Sequence, residues 1–415
     1  MLVRSEWDKL SEVMVHRPGV EMFYGLLYPR AFLYEGVFSM DEALYEHQNM
    51  EHVMMSEGVT VHRLKSIVIQ RMRHSSEFRE TVVSIVKSSI MYKGDLSDDA
   101  YTDFLRNLAS YDPEALFNIL ILRPLIIIKR TKTNTIARII NRNPMANLYY
   151  TRDQQLVVKT GVVIGRMRMP QRRLEPTITE LFFKALNTPI VYKLIKPGFL
   201  EGGDFMPMGD FAIVGYGWRS SFNGVKQIMG LLDFDELVVA KLPKHPWGDD
   251  MLVMHLDTYF NVAGDGLVIG NEELMKNTHV IVYARAQDGL EKLGESTLLD
   301  YIKQRGFNII NLSVIEQAAF ASNFLTLKDR RILVPNIEMN IKKMIKRLRS
   351  SDDPVRQATL QYVESGYEKM KSEGHIFPYR PDVLNEGVDF ITIDVSELVG
   401  GYGGVHCATA TIRRS

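Results

Sequence analysis

Apolar and polar positions alternate in SEVMVHRPG near the N-terminus. The alternation stops at Pro18-Gly19, which predicts a strand closed by a turn. Residues 40–58, MDEALYEHQNMEHVMMSEG, space their apolar positions three and four apart and end on Gly58, the pattern of an amphipathic helix with a glycine cap. VTVHRLKSIVI returns to extended character. From 73 to 140 the pattern is helical: SSEFRETVVSIVKSSIMYKG, SDDAYTDFLRNLASY and PEALFNILIL each carry Ser, Asp or Pro near their start, as helix openings do. From 147 onward short strand-like runs dominate, among them QLVVKTGVVIG, PIVYKL, FAIVGYG, ELVVAKL, LVMHLDTYFNV, GLVIG, HVIVYA and FITIDV. Helical stretches fall between several of them, the last predicted over 353–374. The expected fold class is α/β or α+β, built of recurring strand–strand–helix–strand units, with a helical insertion at 73–140.

Composition adds little to this pattern but narrows the chemistry. Apolar residues make up 46% and charged residues 24% of 415 residues, enough for a large buried core. The formal net charge is zero, so no basic field argues for nucleic acid or an anionic membrane. The basic stretches IKKMIKRLR (341–349) and IIIKRTK (126–132) read as a solvated helix face or a strand end. A single cysteine excludes an internal disulfide and any CxxC site. The apolar run LFNILILRPLIIIK is interrupted by Asn118, Arg123 and Pro124 and is too short to span a bilayer. With no signal-peptide pattern at MLVRSEWDKLSEVMV, a cytoplasmic location is expected.

No Walker A, HExxH or GxGxxG pattern stands in a fitting context, and the ten histidines show no metal-ligand spacing. Neither a metal nor a cofactor is expected. Four stretches remain. NLYYTRDQQLVV sets Arg152 and Asp153 between apolar runs; LEGGDF sets Glu201 against two glycines and Asp204; HLDTYFN sets His255 and Asp257 two apart; GGYGGVHCATA holds Cys407 behind glycines. In a strand, His255 and Asp257 would share a face, available for acid–base work or cation binding, or simply a solvated polar face. His406, next to Cys407, would point to the opposite face in a strand, which leaves His255 the better partner base. A lone cysteine is also compatible with a small buried hydrophobe. Three carboxylates, a histidine and a thiol without a metal pattern suit a compact cation, and a planar guanidinium with five fixed donors is the natural candidate.

These stretches resemble, in order and approximate separation, the motifs of the arginine deiminases among the guanidino-group-modifying enzymes. NLYYTRD is similar to their NLYFTRD, LEGGD to IEGGD, HLDTYFN to HLDTVFT, and GGVHCATATIRR to their C-terminal cysteine motif; LSEVMVHRPG and EHQNM also resemble that family's opening. The resemblance implies a five-bladed α/β propeller, the pentein fold, with residues 1–72 and 141–415 forming the catalytic body and 73–140 a helical insertion. It implies hydrolysis of arginine to citrulline and ammonia through a covalent amidino-thioether on Cys407. His255 would be the acid–base group, Asp153 and Asp257 the guanidinium carboxylates, and Glu201 a further nitrogen ligand that assists proton movement. Asn147, Arg172 and, more loosely, Arg219 would hold the α-amino acid end. Tyr402 stands where the family often has arginine, and Tyr150 where it commonly has phenylalanine; both fall where substrate contact is expected. An arginine dihydrolase, an amidinotransferase and, more distantly, a non-enzymatic propeller module are the alternatives. The expected partner is a small-molecule substrate, with no nucleic acid or membrane, and a homodimer is the default assembly.

Overall fold

The computed structural model describes residues 2–286, 289–350 and 354–415. One connection pattern recurs in five of its sheets: two strands pair antiparallel, and a third returns parallel beside them after helical crossover. Gln155–Val158 pairs with Gly161–Ile164, and Ile190–Lys193 follows the helix Glu175–Ala185. Phe205–Met208 and Phe211–Tyr216 are joined by Gly209-Asp210, and Glu236–Lys241 follows the helix Phe222–Ile228. Phe260–Gly264 and Leu267–Gly270 turn through Asp265-Gly266 before parallel Asn308–Asn311. Leu325–Lys328, Arg331–Pro335 and parallel Asp389–Ile393 form the next unit. In the last, the C-terminal strand Ala410–Arg414 pairs antiparallel with Leu10–Val15, and Thr60–Arg63 returns parallel after the helix Met40–Ser56. The chain's two ends thus close one sheet.

Tight turn chemistry explains these hairpins. Gly209 (φ +84°) and Gly266 (φ +66°) take left-handed conformations that let two-residue turns match strand twist. The hairpin strands Gln155–Val158, Gly161–Ile164, Phe205–Met208, Phe260–Gly264 and Leu267–Gly270 are buried along their whole length, so they do not show the alternation of a half-exposed strand.

Three expectations need correction. The region 73–140 is not wholly helical: besides Ser76–Ser89, Ser97–Asn107 and Pro113–Leu122 it carries a sheet of Met91–Gly94, Pro124–Arg130 and Thr135–Asn141. The extended reading of VTVHRLKSIVI holds only for Thr60–Arg63; Leu64–His74 is a helix whose buried Leu64, Val68, Ile69 and Met72 give a helical stripe. LVMHLDTYFNV is strand only from Phe260, because Asp250–Val253 and Leu256–Thr258 are single helical turns. The late helix spans Pro354–Glu373; residue 353 of its predicted range lies outside the described residues. IKKMIKRLR is the end of the helix Ile337–Arg349, with Ile341 and Ile345 buried and the basic residues outward.

Candidate active site

The functional stretches occupy equivalent places in the repeated units. Each is a short turn immediately before the first strand of a hairpin: Thr151–Gln154 before Gln155, Gly202–Asp204 before Phe205, Leu256–Thr258 before Phe260, and the turn at 405–408 before Ala410. A turn there frees a side chain from the sheet faces and points it past the strand end. Four units thereby deliver Asp153, Glu201, His255, Asp257 and Cys407 to one buried region.

Contacts among them are close. His255 Nε2 lies 2.9 Å from Glu201 Oε2, and its Nδ1 lies 3.4 Å from Asp153 Oδ1. Cys407 Sγ lies 3.5 Å from Asp257 Oδ2. Glu201 also receives the Arg168 backbone N–H at 3.0 Å and the Arg219 guanidinium at 2.9 Å. Both of its oxygens are thus engaged, one of them with His255. Asp153 Oδ2 accepts from Arg172 at 2.5 Å, and Arg172 also pairs with Glu175 at 2.9 Å and donates to the Tyr150 carbonyl at 3.0 Å. Three buried carboxylate oxygens remain without a donor: Asp153 Oδ1 and Asp257 Oδ1 beside Cys407 and His255, and Glu175 Oε1. Orphaned buried acceptors are costly unless something supplies a proton donor.

Electrostatics sort these groups. Burial alone would lower the His255 pKa, but Asp153, Glu201 and Asp204 outweigh it and raise it to about 9. Burial raises Asp257 to about 7, with Asp153 adding to the rise and His255 opposing it. Burial would also raise Glu201, yet Arg219 and His255 hold it well below the usual carboxylate range. Burial, Asp257 and Asp153 together push the Cys407 thiol well above its ordinary value. At neutral pH the site thus holds an imidazolium and a thiol, and its carboxylates await a cation.

The glycines are explained by crowding. A Cβ on Gly203 would sit 2.9 Å from His255 Nδ1 and 3.1 Å from Asp153 Oδ1. A Cβ on Gly403 would sit 2.8 Å from Cys407 Cβ and 2.8 Å from the Tyr150 ring. Only glycine lets these segments pass so close.

Asp153, Glu201 and His255 also present ligand atoms within 4.8 Å of one another, a set that sequence spacing did not reveal. Glu201 and His255 are already hydrogen-bonded to each other, and Arg172 and Arg219 supply two positive charges against the same carboxylates. This donor set is poorly disposed to a divalent cation.

The match to known proteins agrees with this geometry. Residues 30–414 match the arginine deiminase family. The chain belongs to that family. The arginine deiminase of Halobacterium salinarum is 24% identical over 500 residues, covering 99% of this chain and 96% of that protein. The arginine deiminase of Lactococcus lactis subsp. cremoris is 24% identical over 339 residues, 76% of this chain and 81% of that protein. Among solved structures, the product-bound N-terminal domain of ArgZ, an arginine dihydrolase, superposes with a TM-score of 0.54 at 14% identity, covering 98% of each chain. DDAH from Pseudomonas aeruginosa, complexed with citrulline, gives 0.51 at 15% identity over 97% of this chain and 99% of that one. Unliganded AgrE gives 0.54 at 13% identity; this chain covers only 39% of it. These structures share the pentein fold, and it is the fold of this arginine deiminase family member.

The remaining candidates have definite places. Asn147, Tyr150, Arg172, Arg219 and Tyr402 line one small cavity with Asp153, His255 and Cys407. Asn147 donates to the Phe32 carbonyl at 2.8 Å. The Tyr150 hydroxyl donates to the carbonyls of Leu398 (2.6 Å) and Gly403 (3.1 Å), so it ties down the glycine loop and leaves only its ring toward the cavity. Sequence reasoning missed two residues. Asn323 donates from its amide to Cys407 Sγ at 3.3 Å and to the Asp257 carbonyl at 3.1 Å, while its Oδ1 accepts the Cys407 N–H at 3.0 Å. It sits just before Leu325–Lys328, the same place in its unit that the acids hold in theirs, and that position was the available signal. His406 lies in a turn and not a strand, and its Nδ1 is 2.7 Å from Asp257 Oδ2. Burial lowers its pKa well below the ordinary value, so it is a neutral donor that orients Asp257.

Proposed function

We propose that this protein hydrolyses L-arginine to L-citrulline and ammonia, with Cys407 as nucleophile. The observation that carries this reading is the pair of donor-less carboxylate oxygens, Asp153 Oδ1 and Asp257 Oδ1, buried beside a thiol. A guanidinium satisfies both and sets its central carbon against Sγ. Its positive charge also lowers the thiol pKa, so the nucleophile is activated by the substrate it attacks. The thiol proton leaves through Asp257 Oδ2, the Sγ–C bond forms, and the guanidinium carbon becomes tetrahedral. His255, protonated at neutral pH, gives its proton to the departing nitrogen; the C–N bond breaks and ammonia leaves. Neutral His255 then takes a proton from water, whose oxygen attacks the amidino-thioether carbon. The S–C bond breaks, releasing citrulline and the thiol.

Arg172 and Glu175 fix Asp153, Arg219 fixes Glu201, and Asn323 and His406 fix the Cys407–Asp257 pair. We assign residues 1–72 and 141–415 to the catalytic body and 73–140 to an insertion. Two observations qualify how separate that insertion is: the helix Leu64–His74 runs across the first boundary, and Val82, Phe104 and Phe117 share a core with Met14, Phe182 and Ile412 of the body. We take the five repeated sheets as the blades of a propeller. Among the described residues no helix is long and apolar enough to cross a membrane.

The deciding experiment follows citrulline and ammonia together during incubation with arginine. Equal amounts support the deiminase; excess ammonia with ornithine identifies a dihydrolase; neither product from arginine overturns the reading. The pH profile of kcat/KM gives a further test. Asp257 must be ionised to hold the guanidinium, so activity rises with pH through about 7. His255 must be protonated to expel ammonia, so activity falls as pH passes about 9. A profile flat from pH 8 to 10 removes His255 from the acid role. Gly203→Ala is expected to lower kcat/KM about 100-fold by displacing His255 and Asp153, with near-normal thermal unfolding. Wild-type kinetics in that variant would show that the close approach does not matter.

A further inference from the structure

The reaction above puts negative charge on one sulfur twice, first when the thiol gives up its proton and again when the sulfur is expelled from the adduct. Its surroundings resist that charge. Cys407 is buried, and Asp257 and Asp153 stand against it. Among the described residues two side chains come within hydrogen-bonding reach of Sγ: Asp257 Oδ2 at 3.5 Å and Asn323 Nδ2 at 3.3 Å. An ionised Asp257 can accept the thiol proton but otherwise repels a thiolate. Asn323 is the one side chain there with an N–H of its own to give.

The partners of the Asn323 amide settle which way it faces. Oδ1 accepts the backbone N–H groups of Gly404 at 2.8 Å and Cys407 at 3.0 Å, and two N–H donors cannot face an NH2 group. Nδ2 therefore faces the other way, with one hydrogen for the Asp257 carbonyl at 3.1 Å and one for Sγ. The backbone is pinned as well: the Asn323 carbonyl accepts the His406 N–H at 3.0 Å. Asn323 is fully buried, and a Cβ on Gly404 would stand 3.2 Å from its Oδ1, so glycine is what lets the two segments meet. A donor held in this way needs no reorganisation when charge appears on the sulfur.

We infer that Asn323 is a catalytic residue: its amide N–H is the fixed donor that stabilises the Cys407 thiolate in both halves of the reaction. The inference rests on the arginine reading above and goes beyond the anchoring of the Cys407–Asp257 pair. An N–H bond to an ionised acceptor is roughly twice as strong as one to a neutral acceptor. It tightens as the thiol proton passes to Asp257 and slackens once the S–C bond forms. In the second half it tightens again. The S–C electron pair leaves on sulfur, the hydroxyl oxygen becomes the carbonyl and sheds its proton to solvent, and the sulfur then takes back the proton held by Asp257. A stabilised thiolate is also the better leaving group.

Asn323→Asp is the discriminating variant. It keeps an oxygen for the Gly404 and Cys407 N–H groups and sets a second oxygen where the N–H faced sulfur. It is expected to lower kcat for arginine about 100-fold or more at pH 8 while the protein stays folded. Asn323→Ala removes the donor without adding charge and should lower kcat about tenfold or more. Alkylation by iodoacetamide reads the thiolate without any arginine, because Cys407 is the only thiol in the chain. At pH 8 Asn323→Asp should react about threefold or more slowly than wild type. A purely anchoring role predicts the opposite ranking, with Asn323→Asp close to wild type and Asn323→Ala impaired, and that ranking overturns the assignment. So does unchanged alkylation of Asn323→Asp. If the wild type made no citrulline while the alkylation difference held, the arginine reading would be wrong and the thiolate donor right.

Discussion

Replacing Cys407 with alanine is expected to reduce arginine turnover by about 10⁴-fold or more while the protein stays folded. The magnitude follows from the mechanism. The proposed reaction splits one difficult displacement into two steps through a covalent sulfur adduct, and no other thiol exists in the chain. His255, Glu201, Asp153 and Asp257 would still bind and polarise a guanidinium, yet water would have to attack a carbon deactivated by resonance. The structural cost is small. Sγ receives one amide hydrogen bond, from Asn323, and Asn323 keeps its bonds to the Asp257 carbonyl and to the backbone N–H groups of Gly404 and Cys407. Circular dichroism and thermal unfolding should therefore match the wild type closely. Acid-quenched wild-type enzyme should carry an amidino adduct on Cys407 by mass spectrometry, and the variant none. Appreciable turnover by the variant, or no adduct under any quench, would rule out covalent catalysis.

Much of this site was legible in the sequence because its signals are local. Asp153, Glu201, His255 and Asp257 stand beside glycines or apolar runs, in positions where a polar side chain is out of place unless it has a job. The fold was legible for a related reason: buried strands read as unbroken apolar runs, and the Asp265-Gly266 turn marks its hairpin directly. What sequence could not show depends on contacts between distant units. Asn323 looks like any asparagine in ASNFLTL until its unit is laid over the others and it falls at the same turn as the acids. His406 looked misdirected because a strand was assumed around Cys407; the backbone turns there, and the imidazole reaches Asp257 instead. HLD was read as a strand for the same reason, whereas a helical turn lets both side chains enter the site. Arg172 was matched by position to a substrate carboxylate, but position says nothing of Glu175, three residues on, which with Asp153 already balances its charge.

That ion pair makes Arg172→Ala the variant with the largest expected effect on stability. Arg172, Asp153 and Glu175 are all buried, with side chains 3%, 4% and 0% exposed. Deleting the guanidinium leaves Glu175 without a countercharge and Asp153 with only His255, 3.4 Å away, and breaking a buried ion pair this way typically costs about 3–5 kcal/mol. The pH dependence separates this from simple loss of packing. Burial already raises the Glu175 pKa, and Arg172 is the main force opposing that rise. Without Arg172 its folded-state pKa climbs further above the unfolded value. The penalty is then fully felt above the new folded pKa, shrinks as pH falls through it, and disappears below the unfolded value of about 4. Urea unfolding at pH 7.5 and pH 5 should show the variant losing less against wild type at the lower pH. Asp153, no longer held by its bond to Arg172, would also misplace the guanidinium, so kcat should fall along with kcat/KM. A variant of normal stability whose only defect was a raised KM for arginine would instead make Arg172 a ligand of the substrate carboxylate.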